Sequence, residues 1–270
     1  STGSGTSTAF AQLYNPALIL FQHNAGSGTS TFYVNTGYLT LPLDRRIYGV
    51  AGSYNIDSKA AVGIMWLNSS VDNLWERDID GYKLGEIENF ENAVYFTFNK
   101  TVGKYVVIGG SFKYVQANLY GISAYSVGSD VGIAGRFLNN RLVVGFSRKN
   151  LGVKYPWDSS NVYEHGVTTT ETFPQSFQLG ISYSDKYYIP FILSTELQRR
   201  ERAPEKFRAG LELTPVKYLN LRVGYNGDEI NFGLGFSYIY SDYNLELGWA
   251  YITSPLGLSA GQMFSLDFRF

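Results

Sequence analysis

The sequence contains no cysteine. That excludes a disulfide framework and any thiolate metal site, and it suits a chain that crosses an oxidising compartment before folding. Histidine is almost missing too: His23 and His165 are the only two, too few for a zinc site. Long apolar runs are absent. The apolar runs present are short, such as 106–108 and 189–193, and fall far short of the ~18 residues a membrane-spanning helix needs. Neither sign of charge dominates, and a net charge of -1 provides no electrostatic footprint for nucleic acid. Helical periodicity is nearly absent as well. The Ser/Thr/Gly-rich stretch 1–9 lacks the basic-then-apolar pattern of a signal peptide and reads as a mature or trimmed start.

What the chain does have is aromatics, 16% of its residues, together with 29 Gly and short segments of alternating polarity. Alternation of period 2 is the mark of a strand, because successive side chains point to opposite faces. If such a chain enters a membrane it does so as a closed sheet, the only non-helical arrangement that satisfies every backbone group in lipid. The pattern predicts strands over 30–41, 46–54, 60–67, 92–99, 105–115, 129–137, 141–148, 176–183, 188–198, 206–213, 219–225, 229–240, 243–251 and 263–270. Fourteen is even, as single-chain bacterial barrels require.

The connections bear on direction. Barrels of this class have short periplasmic turns and longer outer loops. Links centred on 56–59, 102–104, 138–140, 184–186, 215–217 and 241–242 are short and carry turn formers such as Asp57, Gly103, Asn139, Asp185 and Pro215. The long links expected at 68–91, 116–128, 149–175 and 252–262 all fall on the opposite side. A soluble sandwich has no reason to obey that parity. The reading is therefore an all-β, transmembrane antiparallel barrel of 14 strands (residues 28–270) with a short amino-terminal plug (residues 1–27). Its expected location is the bacterial outer membrane, with the carboxyl terminus periplasmic.

Face assignment follows from the same parity. Phe207, Ala209, Leu211 and Leu213 are expected towards lipid, as are Ile230, Phe232, Leu234, Phe236 and Tyr238, and Tyr243, Leu245, Leu247, Trp249 and Tyr251. In the closing strand Phe264, Leu266, Phe268 and Phe270 face lipid, with Asp267 and Arg269 in the lumen. The first four strands alternate less cleanly. Asn15-Pro16-Ala17 argues for a compact loop or short helical turn rather than a ladder strand.

The candidate functional residues are the inward charges Asp130, Arg136, Glu196, Arg208, Glu212, Arg222, Glu246, Asp267 and Arg269. Their mixed signs predict cross-strand pairs filling the lumen, whereas a selectivity filter would show one dominant sign. Inward glycines such as Gly233 and Gly235 either relieve crowding or leave a groove for an acyl chain. The apolar run Leu18, Ile19, Leu20 and Phe21 must be buried, since leaving it wet forfeits roughly 1.5–3 kcal/mol per large side chain. Trp75 and Trp157, in long outer links, are candidate anchors for a protein partner. Neither histidine stands on a strand near a serine at the lipid face, so no hydrolase triad is expected, and neither a cofactor nor a metal is implied.

Asn15-Pro16-Ala17 after a small-residue amino end resembles the plug motif of the FadL-type long-chain fatty-acid transporters, which are fourteen-stranded outer-membrane barrels. A second set of motifs is similar to the PorV/PorQ branch of that superfamily: Asp130-Val131-Gly132, Asn150-Leu151-Gly152, Gly210-Leu211-Glu212, Leu221-Arg222-Val223-Gly224-Tyr225, Gly233-Leu234-Gly235 and the terminal Phe270. The resemblance implies one of two roles. A PorV-like chain docks a secretion or surface assembly through its outer loops or lumen; a FadL-like chain passes hydrophobic, lipid-like molecules across the membrane. The small plug and modest loops tilt the expectation to docking. The resemblance also implies that Phe270 is the signal read by the barrel-assembly machinery.

Overall fold

The computed structural model describes residues 8–22, 32–160, 162, 164–240, 243–254 and 258–270. Helix is limited to α1 (Ala11–Tyr14) and a 3-10 helix (Pro16–Gln22). The strands, in chain order, are β1 (Phe32–Leu41), β2 (Arg45–Asn55), β3 (Ala60–Val71), β4 (Trp75–Arg77), β5 (Lys83–Glu86), β6 (Asn89–Val102), β7 (Val106–Leu119), β8 (Ile122–Phe137) and β9 (Leu142–Leu151). They continue with β10 (Lys154–Asp158), β11 (Thr168–Thr172), β12 (Ser176–Asp185), β13 (Phe191–Arg200), β14 (Lys206–Val216), β15 (Leu219–Tyr225), β16 (Ile230–Tyr240), β17 (Tyr243–Ile252) and β18 (Gly261–Arg269).

Fourteen of these close into an antiparallel barrel in the order β1-β18-β17-β16-β15-β14-β13-β12-β9-β8-β7-β6-β3-β2. The pairs β4–β5 and β10–β11 are separate hairpins within links. Closure is made by β1 and β18, in register from Tyr33↔Arg269 to Thr40↔Gln262. The backbone of Phe32 exchanges hydrogen bonds with Phe270 at 2.8 and 3.1 Å, and the two rings stack at 5.3 Å.

The two faces sort as the alternation demands. Phe96, Phe98, Ile108, Phe112, Ile133, Phe207, Phe232 and Phe264 stand exposed around the outside, a belt that lipid rather than water must cover. All the long links lie at one end. Among the described residues, the links at the other end are 56–59, 103–105, 138–141, 186–190 and 217–218; the expected link 241–242 lies outside the described residues.

One expected link is not a link. Residues 116–128 belong to the ladder: β7 and β8 pair from Val106↔Gly135 to Leu119↔Ile122. Their connection is the two-residue turn Tyr120-Gly121, with φ of 51° and 76°, the type that matches strand twist in a tight hairpin. At 14 and 16 residues, these strands exceed the ~9–11 that cross a membrane, so the hairpin projects beyond it at the loop end. There β10 packs on β8, and Val115, Ala117 and Ala124 are buried with Val153 and Tyr155.

Candidate functional site: the plug and a two-sided lumen

Residues 8–22 lie inside the barrel against the β3 and β6–β9 wall, and glycines on that wall make the room. An ideal Cβ on Gly109 would sit 2.5 Å from the Pro16 carbonyl carbon and 2.6 Å from the Ala17 nitrogen. One on Gly132 would sit 1.9 Å from Asn15 Oδ1, and one on Gly63 would be 2.8 Å from Ile19 Cδ1. No side chain other than hydrogen fits at Gly109 while the plug backbone is there.

Into the slot at Gly132 goes the Asn15 side chain. Its amide nitrogen donates to the carbonyls of Ile133 and Phe146, both at 3.2 Å, and its Oδ1 accepts from the Ala17 N–H at 3.0 Å. Asn99 Nδ2 donates to the Pro16 carbonyl at 3.0 Å. The orphan carbonyls that a helix end leaves are taken by the wall: Lys149 Nζ donates to Leu13 O at 2.6 Å and Ser147 Oγ to Tyr14 O at 2.9 Å. Arg136 donates to Phe21 O and lies over the Phe21 ring. At the plug's start, the Ala9 N–H donates to Asn35 Oδ1, while Asn35 Nδ2 donates to Asp267.

The apolar side chains of the plug meet apolar side chains of this wall. Ala17, Leu18, Ile19 and Leu20 pack with Ala61, Val107 and Ala134, and Ala9, Phe10 and Leu13 with Ala51, Met65, Ala93 and Tyr95. Ala93 also joins the loop-end cluster of Val115, Val153, Tyr155, Trp157 and Phe173. An apolar track therefore runs from the β10–β11 hairpin, which caps the loop end, to the plug.

The opposite wall is polar and wet. Glu212 accepts from Arg222 at 2.7 Å and Glu246 at 2.5 Å from the same guanidinium. These side chains keep 36% (Arg222), 28% (Glu212) and 20% (Glu246) of their surface accessible inside a closed barrel. Arg208 pairs with Glu196 at 3.0 Å and donates to Gln198 at 2.7 Å. Beside them, a Cβ on Gly210 or Gly224 would meet nothing nearer than a backbone oxygen at 3.7 or 3.8 Å.

The nine inward charges thus form several groups rather than one network. Glu196–Arg208 and Glu212–Arg222–Glu246 lie on the wet wall; Arg136 and Asp267 fasten the plug; and Arg269 stands over the Tyr33 ring. Asp130 is fully buried and pairs with Lys113, 2.7 Å away; Asn150 closes the group, accepting from Lys113 at 2.5 Å and donating its N–H to Asp130 at 2.7 Å. Lys113 and Lys149 also face this interior, beyond the nine charges that the sequence pattern singles out. Lys113 shares the inward parity of Gly109 in the same strand, a signal that was available. Lys149 falls one residue beyond the expected strand end at 148.

The loop tryptophans are held by their own hairpins. Lys83 Nζ lies 3.9 Å over the Trp75 ring, and Trp157 Nε1 donates to Glu171 at 3.2 Å. His165 lies in the link between β10 and β11, and His23 lies outside the described residues.

Neither a protein-family model nor a curated protein matches the sequence. Solved structures do match in shape. The Pseudomonas aeruginosa FadL homologue superposes with a TM-score of 0.61 at 10% identity, over 96% of this chain and 93% of that one. The P. putida toluene transporter TodX gives 0.59 at 12% identity, over 96% and 92%. The CymD monoaromatic hydrocarbon channel gives 0.59 at 12%, over 100% and 94%. The chain has the fold of the FadL-type channels. Within that FadL-type fold, nothing in these likenesses points to the PorV/PorQ branch, and a docking or scaffold role gains no support from them.

Proposed function

We propose that the chain is an outer-membrane channel that takes hydrophobic small molecules inward past its plug, without chemical conversion, its turn end and carboxyl terminus being periplasmic. The observation that carries this reading is the apolar track from Tyr155, Trp157 and Phe173 through Ala93 to Phe10, Leu13 and Met65. A water-soluble cargo gains nothing from parting these packed side chains, whereas each buried methylene of an apolar one contributes about 0.8 kcal/mol. The toluene-transporter and hydrocarbon-channel titles of the structural neighbours support the same class. The Asn15-Pro16-Ala17 turn is the fixed point of the plug in this reading, and Leu18 to Phe21 its movable apolar face.

The test is accumulation of a monoaromatic hydrocarbon and of a long-chain fatty acid by cells with and without the chain. Faster accumulation of either, lost when the track is narrowed by Ala93→Trp, is the expected outcome. Equal accumulation with and without the chain, alongside a large protein retained stoichiometrically on purification in mild detergent, would return the reading to docking.

A further inference from the structure

At the loop end of β9, β12 and β13 the outer face changes character within two rows of the sheet. One row is Phe146, Leu179 and Leu197, aligned through Leu179↔Phe146 and Leu179↔Leu197; these side chains are 43%, 48% and 45% exposed. The row above it is Arg148, Phe177 and Arg199, aligned through Phe177↔Arg148 and Phe177↔Arg199. Arg200 and Arg202 follow directly, at the turn into β14. The Arg148 guanidinium lies 5.2 Å over the Phe177 ring and donates to Gln175 Oε1 at 3.1 and 2.7 Å, which holds it in place.

Phe146 and Phe177 form the apolar side of an open groove of ≈ 690 Å³, and Arg199, Arg200 and Arg202 its polar side. Among the described lining residues Glu201 is the only acid, and its Oε2 accepts from the Gln175 N–H at 3.1 Å. No ion pair joins Arg199, Arg200 or Arg202 to any described residue. Elsewhere at this end, cations do find acids: Arg46 with Asp72 at 3.0 Å and Lys206 with Asp228 at 2.6 Å.

We propose that this groove binds a phosphorylated glycolipid of the outer leaflet, with the phosphate on the guanidiniums and an acyl chain on Phe146 and Phe177. Clustered arginines without acidic partners at an apolar–polar boundary match an anion carried on a lipid, because guanidinium donates in a planar fork that suits phosphate oxygens. A free phosphate would use the guanidiniums but not the aromatic row. The site lies on the outer face of the barrel at the loop end; it rests on the orientation proposed above, with that end outward, and not on transport.

The experiment is native mass spectrometry of the full chain in detergent, titrated with bis-phosphorylated lipid A, with its dephosphorylated form, and with inorganic phosphate. Lipid A should bind, the dephosphorylated lipid at least about tenfold more weakly, in line with loss of charge-assisted hydrogen bonds. The triple variant R199Q/R200Q/R202Q should lose lipid A to a similar degree. R199K/R200K/R202K should recover part of it, and heat-modifiable gel migration reports that each barrel is folded. Equal binding of both lipids, unchanged binding by the folded glutamine variant, or full displacement of lipid A by stoichiometric inorganic phosphate would each overturn the proposal.

Discussion

At the scale of single residues, the plug depends on positions where a methyl group has no room. Gly109 and Gly110 are neighbours with opposite faces: a Cβ on the first meets the Pro16 backbone at 2.5 Å, and on the second nothing nearer than 3.9 Å. Gly109→Ala should therefore lower the melting temperature in detergent and expose the plug to protease, at a cost of about 1–3 kcal/mol. Gly110→Ala should leave both unchanged. Asn15→Ala removes donors from the carbonyls of Ile133 and Phe146 and should cost about 1–3 kcal/mol in the same assay. The Asn-Pro-Ala turn was visible in sequence; its partners, far away in the chain, were not. Deleting Phe270 removes both backbone hydrogen bonds to Phe32 at the closing seam. Pulse–chase assembly should show slower barrel closure, and normal membrane levels of the shortened chain would argue against an assembly role.

Among elements, the β10–β11 cap is held by a group that titrates at high pH. Tyr155 is 4% exposed and meets the Phe173 ring edge-on at 6.0 Å. Burial, and then the charges of Glu91 and Glu171, push its phenol from 10.0 up to about 12. A raised phenol pKa means that the folded state favours the neutral form. Its contribution is thus complete below pH 10 and lost as pH rises through about 12. Limited proteolysis of the cap should accelerate across that window, and Tyr155→Phe should flatten the dependence. The cap also explains why 116–128 was expected to be a loop. Its inward residues Val115, Ala117 and Ala124 are covered by β10 rather than facing water, while Gln116 and Asn118 share the outward parity of Phe112 and Tyr114, so the polar and apolar phases are exchanged there. Its turn begins on Tyr120, an unusual residue for positive φ. The same reason blurs the first strands: Ala51, Ala61 and Met65 face the apolar plug, leaving both faces apolar. In β14 to β18 the lumen face is wet, and alternation is clean.

For the whole molecule, the lumen divides into a filled side and a hydrated side. Because the chain lacks cysteine, a single introduced thiol reports on either. Gly224→Cys should react quickly with a small charged thiol reagent added to the folded barrel, and Ala61→Cys, beneath the plug, at least about tenfold more slowly, as expected of a site that reacts only after local opening. Equal rates would show that the plug does not fill its side. The strand number, the lipid-facing residues and the end that carries the long links were all determined by sequence alone. Lipid and water impose opposite demands on alternate side chains, and that demand is local. Which wall the plug lies on, which charges meet, and where lone arginines border exposed aromatics were decided only by tertiary structure. Those contacts join positions such as Asn15 and Phe146, 131 residues apart, and pairing at that separation leaves no period in the chain.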